Sequence, residues 1–175
     1  MSNIYSYKGI FPTIAESAFT APSADIIGDV VIGEESTIWF NCTVRGDVNE
    51  IRIGKQTSIQ DNTVIHVARL GQGTYVGDRV TVGHAAILHA CTVEDDVVIG
   101  NGACVMDDAR VEKGAIVAAN ALVPPGKTVK AGEVWAGNPA KKLRDVREAE
   151  IEFFHNNMLD YCQLAKEYNE EIFNK

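Results

Sequence analysis

The sequence has neither an excess of basic charge nor a long apolar run. Its 175 residues include 16 Lys and Arg against 24 Asp and Glu, which gives a formal net charge of −8. Nucleic acids and anionic membranes attract basic surfaces, so this balance argues against both as partners. No segment approaches the roughly 20 apolar residues of a membrane-spanning helix, and the first residues lack the basic-then-apolar order of a secretory signal. We expect a single domain in the cytoplasm.

Cysteine and histidine are both scarce. The four cysteines are widely spaced and form no C-x-x-C pair, which is typical of reduced thiols in a cytoplasmic protein. The sequence contains only four histidines, and three of them lie between residues 66 and 89. The fourth, His155, falls in the C-terminal segment, where we expect an ordinary solvated side chain. The clustering makes His66, His84 and His89 candidate functional residues.

An aliphatic residue recurs every six positions through most of the chain. This period fits neither an α-helix nor an ordinary alternating strand. It is typical of a solenoid in which each hexad forms one short strand and one corner, and three hexads close a coil. The sequence therefore predicts a mainly β fold, a single-stranded parallel β-helix with a stacked aliphatic core. The repeating positions are Ile26, Ile32, Ile38 and Val44; Ile53, Ile59 and Ile65; Val76, Val82 and Leu88; and Val93, Ile99, Val105, Val111, Val117 and Val123.

Three features mark changes in the regular coil. Gly54 and Gly77 directly follow core residues, as a tight corner requires. Extra residues at 67–71 predict a loop that leaves the coil. From residue 145 onwards, apolar residues recur at alternating intervals of three and four, as on one stripe of an amphipathic helix. The stripe contains Ile151, Phe154, Met158, Tyr161, Ala165, Tyr168 and Ile172. We expect a β-helix over residues 1–140 and a helix within residues 141–175 that packs along it, forming one domain overall.

The six-residue count places the polar candidates on the coil. Arg45, His66 and His89 each follow a core residue directly. Successive members are three hexads apart, which is one full coil, so the three side chains stack in one column. By the same count, Asp61 and His84 share a second column on the adjacent face. The polar candidates therefore fall in two columns rather than at scattered surface positions.

The stacked histidines predict a metal site between chains. His66 and His89 should lie about 5 Å apart, the spacing of neighbouring strands, so both imidazoles can reach one ion. Three protein ligands with one open position are typical of catalytic zinc. His84 projects from a different face and should not reach the pair in its own chain. A second copy can supply it, which predicts a homo-oligomer with a trimer as the simplest closed form.

The order of these residues resembles the γ-class carbonic anhydrase family. The matching segments are Arg45-Gly46-Asp47, Gln60-Asp61-Asn62, His66, and His84 with His89. They are similar in particular to a short bacterial branch, often labelled carbonic-anhydrase-like, ferripyochelin-binding-protein-like or phenylacetate-degradation-like. The resemblance covers nearly the whole chain, from Phe11 to the C-terminal helix. It implies a homotrimer of left-handed β-helices with zinc, or iron in some members, bound between subunits.

The resemblance also implies a role for each candidate residue. The metal ligands would be His66 and His89 of one chain and His84 of its neighbour, and the reaction would be the reversible hydration of CO2 to bicarbonate. Gln60 would hydrogen-bond the attacking water, and Asp61 would orient a histidine or arginine. Tyr161 would contribute from the helix near the site. Arg45 and Asp47 would form an ion pair between subunits.

Two positions depart from the active members of the family. Val48 stands where they carry an acidic residue, and the loop at residues 67–71 contains no acid, whereas theirs is long and acidic. Two other functions therefore stay open. One is acyl transfer or hydrolysis of acyl-CoA, because residues 135–141 resemble the segment that follows the solenoid in hexapeptide-repeat acyltransferases. The other is a non-catalytic trimeric scaffold that keeps its metal for stability.

Overall fold

The structure, a computed structural model, describes residues 3–173 and shows a parallel β-solenoid of about seven turns followed by one C-terminal helix. The predicted mainly β solenoid is confirmed. The helix α1 spans Glu148–Glu167, and a π-helical turn, Tyr168–Ile172, continues it. The strands are β1 Asn3–Tyr5, β2 Thr13–Ile14, β3 Phe19–Thr20, β4 Asp25–Ile32, β5 Thr37–Ile38, β6 Thr43–Ile53, β7 Ser58–Ile59, β8 Val64–His66, β9 Thr74–Val76, β10 Thr81–Val82, β11 Ile87–His89, β12 Thr92–Val93, β13 Val98–Ile99, β14 Cys104–Val105, β15 Arg110–Val111, β16 Ile116–Val117, β17 Leu122–Val123, β18 Thr128–Val129, β19 Glu133–Ala136 and β20 Lys141–Asp145.

The parallel strands stack into three faces. The histidine face contains the first part of β6, then β8, β11, β14 and β17, and the back face contains the second part of β6, then β9, β12, β15 and β18. The helix face contains β3, β5, β7, β10, β13, β16 and β19. On the histidine face, Ile65 lies opposite Val44 on one side and Leu88 on the other, and all three are fully buried. Each hexad thus contributes its repeating aliphatic residue to the core, and most add a second apolar residue two positions earlier, such as Ala86 before Leu88.

Glycine has a different role at the corners from the predicted one. Gly54 and Gly77 do not adopt the left-handed backbone conformation, which falls on later corner residues such as Gln56 and Arg79. A Cβ on Gly54 would lie 2.6 Å from the carbonyl carbon of Gly77 on the next coil, and a Cβ on Gly77 would lie 2.7 Å from the Asp95 nitrogen. Glycine is therefore required here because successive coils stack closely, and the turn itself does not need it.

The C-terminal helix packs on the solenoid through the middle of its apolar stripe. Met158 and Ala165 are buried, and the ring centroid of Tyr161 lies 5.5 Å from that of Trp39. The stripe is exposed at its start, at Ile151. Before the helix, β20 pairs antiparallel with β19, so the last coil ends in a hairpin. None of the helices within residues 3–173 is long and apolar enough to span a membrane.

Candidate metal centre

His66 and His89 lie side by side at one edge of the histidine face. They are paired in register in β8 and β11, with ring centroids 5.3 Å apart. Each follows a fully buried core residue, Ile65 or Leu88, so the buried strand fixes the point from which each imidazole projects. Strand β8 ends at His66, Val67 is still buried in the core, and the loop that leads to β9 follows. The structure therefore places these two histidines next to each other, as the hexad count predicts.

A carboxylate holds one nitrogen of each of these rings. Asp47 Oδ1 lies 3.0 Å from His66 Nε2, and Asp107 Oδ1 lies 2.6 Å from His89 Nδ1. Within the same chain, Arg45 Nη1 donates to Asp47 Oδ2 at 2.5 Å; pairing of these two residues across subunits stays a prediction. Burial alone raises the pKa of Asp47, but hydrogen bonds from His66 and Arg45 outweigh it and hold that pKa below its usual value. Such a carboxylate orients the ring and determines which nitrogen faces a metal.

Asp107 is the residue of this site that sequence reasoning missed. In the pairing of β11 with β14, Leu88 lies opposite Val105, so Met106 stands next to His89. Asp107 follows in the corner and reaches the His89 ring diagonally from the next coil. The one signal in the sequence is the separation of 18 residues, one coil length, between Asp107 and His89.

His84 lies at the other edge of the histidine face, in the corner between β10 and β11. Its Nδ1 lies 2.9 Å from Asp61 Oδ2, and the backbone N–H of Phe40 donates to Asp61 Oδ1 at 3.2 Å. His84 and Asp61 stand on successive coils, because β10 is paired in register with β7. The whole of strand β11 separates this corner from the edge that carries His66 and His89.

A groove beside His84 brings the remaining candidates together. It has a volume of about 360 Å³ and lies between α1 and the helix face, with Gln60, His84 and Tyr161 among its lining residues. Gln60 is only 5% exposed, and its side-chain amide makes no hydrogen bond within residues 3–173. The amide atoms of Gln60 are not among the fully enclosed polar atoms without a partner in the described residues, so they are open to the groove and can hydrogen-bond water or substrate there. The Tyr161 ring packs on Trp39, and burial together with the charge of Asp61 raises the pKa of Tyr161.

Within residues 3–173, one chain does not hold a complete metal site. Among the residues that the structure describes, no group of three or more histidine, cysteine, aspartate or glutamate side chains could hold a metal ion. The cysteines are free thiols, and burial raises the pKa of Cys42 and Cys91 to about 12, so these two are neutral. His155 is exposed on α1 and lines a separate cavity of about 280 Å³. The candidate ligands are therefore imidazoles at two separate edges.

The imidazoles of His66, His84 and His89 have the donor chemistry of a zinc or iron site. Each has one ring nitrogen next to a carboxylate, from Asp47, Asp61 or Asp107. The other nitrogen of each ring has no hydrogen-bond partner in the described part of the chain. A neutral imidazole whose second nitrogen is held by a carboxylate is the usual form of a metal-ligating histidine. The residues present therefore fit a metal when His84 comes from another copy.

The fold defines a protein of the hexapeptide-repeat class, although no family model matches the chain. The chain is 48% identical over 160 residues to gamma carbonic anhydrase 2, mitochondrial, of Arabidopsis thaliana, covering 89% of this chain and 58% of the relative. It is 42% identical over 165 residues to a carbonic anhydrase of Geobacillus kaustophilus, covering 94% of this chain and 90% of the relative. A solved structure of a hexapeptide transferase family protein from Anaplasma phagocytophilum matches with a TM-score of 0.91 and 44% identity, covering 95% of this chain and 98% of that one.

The chain belongs to the γ-carbonic anhydrase-like hexapeptide-repeat family. This confirms the resemblance identified in the sequence. The chain spans 58% of the length of the Arabidopsis relative and 90% of the length of the Geobacillus relative. Family membership accounts for the fold, while the chemistry of the site has to be argued from its own residues.

Proposed function

We propose that this protein hydrates CO2 reversibly to bicarbonate at a zinc or iron site shared between copies. His66 and His89 of one copy would bind the metal together with His84 of the next. The observation that carries the proposal is the placement of these histidines, two paired at 5.3 Å on one edge of a face and the third at the opposite edge. The names of the Arabidopsis and Geobacillus relatives, both carbonic anhydrases, support the reaction.

The two edges also favour a particular symmetry. A head-to-tail arrangement joins the two different edges directly, because each copy gives its loop-side edge to one neighbour and its His84 edge to the other. A ring of three is the smallest ring that closes in this way. The histidine face supplies a suitable contact surface, because Val64 and Ile87 are adjacent and are 40% and 41% exposed. Adjacent exposed apolar side chains favour burial against another subunit. We therefore propose a homotrimer.

The proposed reaction uses residues at both edges. A zinc ion held by the three imidazoles would supply a nucleophile near neutral pH, because zinc lowers the pKa of coordinated water to about 7. The Gln60 amide would hold the attacking water in the groove. Asp61 and Asp107 orient the rings of His84 and His89, so the ligands need little reorganisation. Tyr161 forms a wall of the groove, and its packing on Trp39 supports a role in shaping the site.

Proton release would differ from that of family members with acidic residues near the site. Val48 packs against the core, and residues 67–71 contain one base, Arg69, and no acid. Without a carboxylate to carry the proton from the groove, we expect buffer molecules to do so. The rate of CO2 hydration should then rise with buffer concentration at constant pH and ionic strength.

Three measurements on one preparation test the proposal: native mass, metal content and CO2 hydration by stopped flow. We expect a trimer with about one metal ion per chain. His84→Ala should lose both metal and activity, because the third ligand is removed, whereas His155→Ala, a matched histidine away from the site, should retain both.

Equal hydration rates for His84→Ala and the unmodified protein would contradict the proposal. Turnover of acyl-CoA thioesters that is insensitive to a chelator would instead favour acyl transfer or thioester hydrolysis. A metal-loaded trimer with no hydration of CO2 would favour the scaffold.

A further inference from the structure

Leu70 presents an apolar side chain on a fixed loop. It is 98% exposed, the most exposed large apolar residue in the described chain. The loop that carries it is held at both ends, because Asn49 Nδ2 donates to the carbonyl oxygens of Ala68 at 3.2 Å and Gly71 at 3.0 Å. A single exposed leucine is common on protein surfaces, so its position decides whether it has a function.

The order of the strands determines where this loop lies. It connects the histidine face to the back face, at the edge that carries His66 and His89. Leu70 follows His66 by four residues, a separation of at most about 14 Å along the chain. The opposite edge carries His84 and opens into the groove below α1. In one chain, the loop and the groove therefore belong to different edges.

These two edges meet when His84 of one copy completes the metal site of another. In that arrangement the loop of the first copy would lie against the helix face of the second, at the end of the groove where His84 is. On that side α1 supplies Phe153, Asn157 and Tyr161 to the lining, and Phe153 is exposed in the single chain. The groove thus offers an aromatic surface at the place where the loop arrives.

We propose that Leu70 of each copy docks in the groove of the neighbouring copy, against Phe153 and Tyr161. This inference rests on the shared metal site of the proposed function and adds the loop as a second contact between the same two edges. Docking removes apolar area of both partners from water. It also places the acid-free loop beside Gln60, at the end of the groove where His84 lies.

A double-mutant cycle on subunit exchange tests the contact. Trimers that carry different labels are mixed, and energy transfer between the labels measures the rate at which subunits exchange. This rate is compared for Leu70→Ala, Phe153→Ala and the double variant. Each single change should speed exchange about tenfold, because a buried apolar contact is lost, and the double variant should exchange no faster than the faster single variant. Arg69→Ala on the same loop and Leu159→Ala on the same helix are matched controls that should exchange at the unmodified rate.

Additive effects of Leu70→Ala and Phe153→Ala would overturn the docking, as would a Leu70→Ala variant that exchanges like Arg69→Ala. Metal content and native mass are measured on the same samples. If the protein is a metal-loaded trimer but the effects of the two substitutions on exchange are additive, only the docking is contradicted. If the unmodified protein is a monomer, both the docking and the proposed function are contradicted.

Discussion

The two edges of the histidine face are unlike each other, and this difference is the basis of the proposed centre shared between copies. The loop edge, with His66 and His89, holds two adjacent imidazoles at 5.3 Å. The corner edge, with His84, Asp61 and Gln60, holds one imidazole, its carboxylate and a nearly buried amide without a hydrogen-bond partner in the described chain. The three-sided coil keeps the edges apart in every copy, so the proposed centre takes one edge from each of two copies.

The largest expected effect comes from disabling a different edge in each of two chains. His66→Ala removes a ligand from the loop edge, and His84→Ala removes the ligand of the corner edge. Each variant alone should bind almost no zinc. Trimers assembled from an equal mixture should recover about one quarter of the unmodified metal content, because each site has a chance of about one half for each intact edge. Elemental analysis of the mixed trimers measures this recovery.

The matched control mixes two chains that are damaged at the same edge. In a mixture of His66→Ala with His89→Ala, every site has a defective loop edge, so no recovery is expected. Recovery in this control, or none when the different edges are combined, would show that the two edges do not form one shared centre.

The pairing of His66 with His89 could be predicted from sequence because the buried strands leave little freedom. Each histidine follows a core residue whose place on the coil is determined by the six-residue period. Asp107 could not be predicted in this way, because it reaches His89 diagonally from a corner. The period gives the position of a residue along the coil, whereas the reach of a side chain out of a corner depends on the local backbone.

The helix shows a second limit of prediction from sequence. Its three-and-four spacing correctly indicated the buried Met158 and Ala165, but Ile151 of the same stripe is exposed. Periodicity identifies the apolar side of a helix, and the surface it packs against decides how much of that side is buried. The prediction that Gly54 is needed for the turn was wrong for a related reason. The residue has to be glycine because the next coil lies close to it, and that closeness cannot be seen in a single repeat.

A smaller effect is expected when the loop edge keeps its ligands and loses one orienting carboxylate. Asp107→Asn should weaken zinc binding about 10- to 100-fold, because an amide orients the His89 ring less firmly than a carboxylate. Asp108→Asn is the matched control, since Asp108 adopts a left-handed conformation that asparagine tolerates. Competition with a chromogenic chelator gives both affinities. Equal zinc affinities for the two variants would show that Asp107 does not orient a ligand of the proposed centre.

The smallest expected effect lies away from both edges, at the start of α1. Arg144 forms two hydrogen bonds with Glu150 at 2.8 and 2.6 Å and lowers the pKa of Glu150 to about 2. Because the folded pKa lies below the unfolded value, the pair stabilises the fold above about pH 4.5, and this contribution is lost as the pH falls towards about 2. Glu150→Gln should therefore lower the Tm by about 2 °C at pH 7, and the difference should vanish near pH 2. Metal content should not change at pH 7. A loss of metal in Glu150→Gln would mean that the start of the helix is coupled to the corner edge and that α1 is part of the proposed centre.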